Sequence, residues 1–141
     1  MALTVLDAGV LIALLDASDS HHLAARVALD EAVTRRDDLA LPASAYAELM
    51  VEPWRRGPEA VETADGALAA LTVRIEPVTQ RVASAAAELR ARHGRRLRLP
   101  DALVLATAHV ARADRVLTTD ARWPKTEIPV EVVQKPKRRS V

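Results

Sequence analysis

The run Leu3-Thr4-Val5-Leu6 is short and mostly apolar, and it stops at an aspartate. A run of this length reads as a buried strand, with Asp7 at its end and Gly9 permitting a sharp change of backbone direction. Val10 to Leu15 then continue as a buried first helix. In an open α/β sheet, ligands bind outside the carboxyl ends of the strands, which puts Asp7 on the functional edge. A carboxylate between two apolar elements is costly to desolvate unless a cation, hydrogen bonds or a proton compensates. Capping of the helix that follows is the other account of the same residue.

The remaining chain alternates in the same way. Ser18-Asp19-Ser20 can cap a helix from about His21 to Arg36, with Leu23, Val27 and Ala28 on its inner face. His21 and His22 are adjacent, whereas two ligands on one helix face need a spacing of three or four, so packing or capping is expected of them. Leu39-Ala40-Leu41 is a brief strand closed by Pro42, and Ser44 can cap a helix over Ala45 to Glu52 that Pro53 should kink or end. Glu59 to Leu71 is expected to be helical, with Val61, Ala64, Leu68 and Leu71 inward, before the strand Val73-Arg74-Ile75. Thr79 caps a further helix that Gly94 ends. Pro100 suits the first turn of an almost wholly apolar helix, Asp101 to Arg112. The strand Val116-Leu117-Thr118 follows, with Thr119-Asp120 at its carboxyl end, and Val130 to Val133 can add an edge strand. Such alternation implies a parallel sheet with helices on both faces.

At 141 residues, half of them hydrophobic and 28% charged, the chain reads as one soluble domain. It contains no cysteine, which removes disulfides, zinc–thiolate sites and thiol catalysis. The first apolar run is interrupted by Asp7 and Asp16, too short to span a bilayer, and no basic segment precedes it. No membrane association and a cytoplasmic location are expected. Phe is absent and only Tyr46, Trp54 and Trp123 are aromatic, which disfavours a base-stacking platform.

Three acids share one kind of address: Asp7 and Asp120 end strands, and Asp101 starts a helix. Glu48 can join them from the helix after the second strand. Singly, each has a plain explanation as a cap, a dipole partner or a solvated charge. Together they would repel and raise each other's pKa, a cluster that persists most easily around a hard divalent cation. Oxygen-only ligands suit Mg²⁺ or Mn²⁺ better than Zn²⁺, and such an ion can activate water against a phosphodiester. No Ser/His/Asp arrangement or P-loop competes. Arg90, Arg92, Arg95, Arg96 and Arg98 lie just before Asp101. Of these, Arg95, Arg96 and Arg98 are the candidate contacts to the outer phosphates of a polyanion.

These residues resemble the PIN-domain family, specifically the VapC-type toxins of bacterial toxin–antitoxin pairs. Val5-Leu6-Asp7-Ala8-Gly9-Val10-Leu11-Ile12-Ala13 is similar to the family's first acidic motif. Ala47-Glu48-Leu49 with Arg55-Arg56-Gly57 is similar to the second, Asp101 to Ala108 to the third, and Val116-Leu117-Thr118-Thr119-Asp120 to the fourth. The resemblance covers residues 3 to 133. It implies an α/β, PIN-like fold with a short central parallel sheet of four to five strands flanked by helices. The domain would span 1–134, followed by a basic, disordered tail, 135–141. Also implied are Asp7, Glu48, Asp101 and Asp120 around one or two Mg²⁺ or Mn²⁺ ions, with Thr118 supporting the pocket by hydrogen bonding. The activity implied is endoribonuclease cleavage of an RNA substrate, in a homodimer held in check by a cognate VapB-type antitoxin. Ala8-Gly9 departs from the hydroxyl-bearing residues common after the first Asp. Trp123 stands near the place of a usual Phe, and His22 resembles a recurrent structural histidine.

A haloacid-dehalogenase-type phosphatase also begins with a strand ending in Asp, but needs a second Asp where this chain has Gly9. A response-regulator receiver needs an early acidic pair that the opening lacks. The remaining alternative is a catalytically silent protein of the same fold that binds RNA or an antitoxin.

Overall fold

The computed structural model describes residues 1–134. The expected basic tail, 135–141, lies outside the described residues. In chain order the elements are β1 (Leu3–Leu6), α1 (Ala8–Leu15), α2 (His22–Thr34), β2 (Asp38–Pro42), α3 (Ala43–Arg56), α4 (Pro58–Ala70) and β3 (Val73–Glu76). There follow α5 (Gln80–His93), a 3₁₀ turn (Gly94–Arg96), α6 (Leu99–Val110), β4 (Arg115–Thr118) and β5 (Val130–Val132).

All strand pairings are parallel, in the order β3-β2-β1-β4-β5. β1 is the centre: Val5 pairs with Ala40 on one side and Val116 on the other. The chain lays β2 and β3 outward from β1, then crosses back to place β4 and β5 on the opposite side. The order therefore reverses between β1 and β4, and open α/β sheets form their crevice at such a reversal. Val5, Leu6, Leu41, Val116 and Leu117 from the sheet pack with Val10, Leu11 and Leu105 from the helices in one core.

Several local expectations change in the folded chain. Gly9 lies inside α1, and the change of direction is made at Asp7, whose extended backbone (φ −79, ψ 152) is the N-cap. Gly9 is needed for room: a Cβ there would stand 2.6 Å from Thr119 Oγ1. On α2 the inner residues are Ala25, Leu29 and Ala32, while Leu23 and Val27 are exposed. Both sets have helical spacing, so periodicity alone could not choose between them. No side chain caps the α2 N-terminus, where the N-cap is His21, and Asp19 instead accepts from the His21 N–H at 2.8 Å. His22 has the expected structural role, with its Nδ1 lying 2.8 Å from the Ala13 carbonyl and tying α2 to α1. Ser44 is already inside α3, with its hydroxyl buried and unpartnered. Pro53 does not end that helix, which runs on to Arg56; one missing N–H near its end leaves the rest intact. Thr79 and Gly94 bound α5 as expected: the Thr79 hydroxyl accepts from the Val82 N–H, and Gly94 has φ 59.

Candidate functional site

β1 and β4 end side by side, and the Asp7 N–H donates to the Leu117 carbonyl at 2.9 Å. Asp7 Oδ1 accepts from the Ala8 N–H at 2.9 Å, so the cap reading is correct as far as it goes. The other oxygen, Oδ2, accepts from the Thr118 hydroxyl at 2.8 Å. That same hydroxyl accepts from the Asp120 N–H at 3.1 Å, fixing the turn after β4. One fully buried threonine thus links two of the acids.

The structure brings all four acids into one electrostatic neighbourhood. Burial raises the Asp7 carboxyl, and the charges of Glu48 and Asp120 add to the effect, while the Thr118 and Ala8 hydrogen bonds oppose it. Asp101, in the first turn of α6, is pushed up to about 6 by burial and then by Asp7 and Asp120, against the pull of Arg98 and Arg122. Glu48, on the solvent-facing side of α3, is raised by partial desolvation and by Asp101, with Arg98 opposing. Asp120 differs in sign. Its carboxyl is lowered because it accepts from Arg122.

The cations sort unequally. Arg98, the N-cap residue of α6, is felt at both Glu48 and Asp101. Arg95 and Arg96 are exposed in the 3₁₀ turn and are not among the causes of any of the four carboxyl shifts. Arg90 is structural, donating to the Gly94 and Leu97 carbonyls at 3.0 and 2.8 Å. Sequence reasoning passed over Arg122, which forks onto Asp120 with Nε–Oδ1 at 3.1 Å and Nη2–Oδ2 at 3.2 Å. Its signal was local: an Asp followed two residues later by Arg, in a turn the Asp side chain closes by accepting from the Arg122 N–H at 2.8 Å.

The donor set suits a hard divalent cation: four carboxyls, one hydroxyl behind them and no thiolate. Among the described residues, no three acidic or imidazole groups stand together so as to enclose an ion. Mg²⁺ does not require such a cage, because it keeps several waters and commonly takes one or two carboxylates with substrate phosphate oxygens.

The family model described as PIN domain matches residues 4–129. This chain belongs to the PIN-domain family. The PIN fold is also shared with solved structures. A toxin–antitoxin complex from Klebsiella pneumoniae contains a chain 23% identical, with TM-score 0.76 over 94% of this chain and 99% of that one. VapC20 of Mycobacterium tuberculosis, a sarcin–ricin loop cleaving toxin, is 22% identical, with TM-score 0.64 over 80% and 86% of the two chains. VapBC2 from Rickettsia felis, bound to a DNA fragment from its promoter, is 14% identical, with TM-score 0.70 over 94% and 99%. No curated protein matches this PIN domain in sequence.

Proposed function

We propose that this PIN domain is a Mg²⁺- or Mn²⁺-dependent endoribonuclease, the toxin of a cytoplasmic toxin–antitoxin pair. The observation that carries the reading is the gathering of Asp7, Glu48, Asp101 and Asp120 at the β1–β4 reversal, three of them with raised carboxyls. Such a cluster holds unmet negative charge that a divalent ion would neutralise. Asp7 and Asp101 would hold the ion directly, with Glu48 and Asp120 completing its surroundings. When bound, the ion supplies Lewis-acid polarisation of the phosphodiester and lowers the pKa of water beside it.

The protein's own residues do the remainder. Thr118 holds Asp7 in one orientation, and the buried strands behind it keep that orientation fixed. Arg98 would take an outer phosphate close to the acids, with Arg95 and Arg96 extending the basic rim along the RNA.

The partner in this reading is a VapB-type antitoxin. An apolar groove of about 360 Å³ between α1, α3 and α4, lined by Ile12, Leu15, Leu49 and Ala64 among others, is suited to the apolar face of an antitoxin segment. The similar chains in solved toxin–antitoxin complexes support that choice, and a homodimer is proposed on the same family grounds. Among the described residues, no helix is long and apolar enough to cross a membrane.

The test is cleavage of total RNA by purified protein with Mn²⁺, stopped by EDTA and abolished in Asp7→Asn and Asp101→Asn with the circular dichroism spectrum unchanged. Equal cleavage by wild type and both variants would mean a contaminating nuclease and would remove the reading. Two observations favour a silent protein of the same fold: Asp120 is already paired with Arg122, and among the described residues no three-acid cage is formed. That reading requires binding of RNA or an antitoxin without cutting under either metal.

A further inference from the structure

The basic turn before α6 supplies one arginine to the acids, and a second comes from the segment that follows β4. Arg122 follows β4, and its charge acts on Asp101 just as that of Arg98 does. The two guanidinium groups come from different elements, Arg98 from the start of α6 and Arg122 from the segment after β4. An exposed ion pair such as Arg122–Asp120 contributes little to stability, so holding the fold together is a poor explanation for it.

The geometry of the contact is more telling. Asp120 accepts three hydrogen bonds from Arg122: the backbone N–H at 2.8 Å, Nε at 3.1 Å and Nη2 at 3.2 Å. The backbone bond closes a turn, and the other two seize one edge of the planar guanidinium. Nη1, on the far edge, has no hydrogen bond among the described residues, and the side chain is 89% exposed. An arginine clamped by a carboxylate along one edge is pre-organised to present its other edge to an anion, because less rotamer freedom remains to be lost on binding. Phosphate oxygens match that fork.

Resting on the ribonuclease reading above, we propose that Arg122 is a phosphate-binding residue of this site, and that Asp120 serves it as a positioning residue. Arg98 and Arg122, from different elements, would then both hold phosphates neighbouring the one to be cut.

The experiment measures binding of a short, fluorescein-labelled, mixed-sequence single-stranded RNA by anisotropy, in EDTA and over a range of KCl concentrations. Wild type, Arg122→Ala and Arg122→Lys are compared, with Mn²⁺-dependent cleavage by wild type run alongside. Arg122→Ala should weaken binding by about five- to tenfold and flatten the log–log salt slope by about 0.7, the loss of one phosphate contact. Arg122→Lys should restore the slope but less than half of the lost affinity, since an ammonium group cannot be gripped and forked in the same way. Thermal melting should be unchanged in both variants. Cleavage by wild type together with equal RNA binding by Arg122→Ala would overturn the assignment and leave the nuclease reading standing. Weaker binding by Arg122→Ala without any cleavage by wild type would sink the nuclease reading and keep the phosphate contact. A wild type that binds no RNA overturns the phosphate contact, and one that also fails to cleave overturns both.

Discussion

Thr118 Oγ1 donates to Asp7 Oδ2 across 2.8 Å, although 111 residues separate them. The bond exists because β1 and β4 are neighbours in the sheet, with Leu6 paired to Leu117 one step before. Thr118→Val keeps the side-chain shape and deletes the donor. Urea denaturation at neutral pH should show a loss of about 1.5–3 kcal/mol, the ordinary value of a hydrogen bond to a charged group, with the Asp120 N–H also losing its acceptor. The Asp7 carboxyl should titrate at higher pH in the variant by carbon-detected NMR, because one of the two bonds that hold it down is gone.

Gly9 and Thr119 are coupled by space. A Cβ at position 9 would meet Thr119 Oγ1 at 2.6 Å, and the hydroxyl must rotate away or α1 must shift. Gly9→Ala alone should be neutral or destabilising, the clash opposing the roughly 0.5–1 kcal/mol that alanine gains over glycine within a helix. In a Thr119→Ala background the same change should become stabilising. A double-mutant cycle by chemical denaturation reads the difference, and strict additivity would show that the contact is not felt.

Asp101 links the site to acid stability. Its folded-state carboxyl stands at about 6 against 3.8 for the free group, so the folded chain holds the proton more tightly than the unfolded one. Stability therefore falls as pH rises from about 4 to about 6, and the penalty persists above that range. Asp101→Asn should stabilise the protein at pH 7 to 8 by on the order of 1 kcal/mol, a figure discounted because solvent screens this part-exposed group. The gain should vanish below about pH 4 in denaturation curves measured across the pH range.

Just past the end of α6, Arg112 lies in the left-handed region, with φ 55. The Arg112 and Ala113 N–H groups close the helix end onto the His109 and Ala108 carbonyls at 3.2 and 2.9 Å, a pattern in which glycine is the usual residue. Arg112→Gly relieves a backbone strain of about 1–2 kcal/mol and gives back about 0.5–1 kcal/mol through the freer unfolded chain. A net gain of about 0.5–1 kcal/mol is expected in urea melts. RNA cleavage should not change, because this end of α6 faces away from the acids at its other end.

The elements closest to being readable from residues alone are those with a local physical cause. Leu3–Leu6 is an apolar strand stopped by an acid, the Thr79 hydroxyl caps α5, and Gly94 ends it with a positive φ. The same holds for the placing of Asp7, Asp101 and Asp120 at element ends. Other readings failed for want of context. Two apolar stripes of equal spacing compete on α2, and only the neighbouring elements chose Ala25, Leu29 and Ala32 over Leu23 and Val27. Pro53 is tolerated because it lies in the last turns of a packed helix. Arg122 was invisible as a site residue because its role depends on what Asp120 faces.

The sequence by itself determined the alternation of strands and helices, those ends that have a local cap, and the residue types that carry charge, since each follows from backbone preference and from which side chains leave water. Tertiary structure alone decided that β1 sits between β2 and β4. That order sets Thr118 beside Asp7 and lets the charges of Glu48, Asp101, Asp120, Arg98 and Arg122 act on one another. The physical reason is range: preferences act over a few residues, whereas fields and packing act over a few ångströms, whatever length of chain lies between.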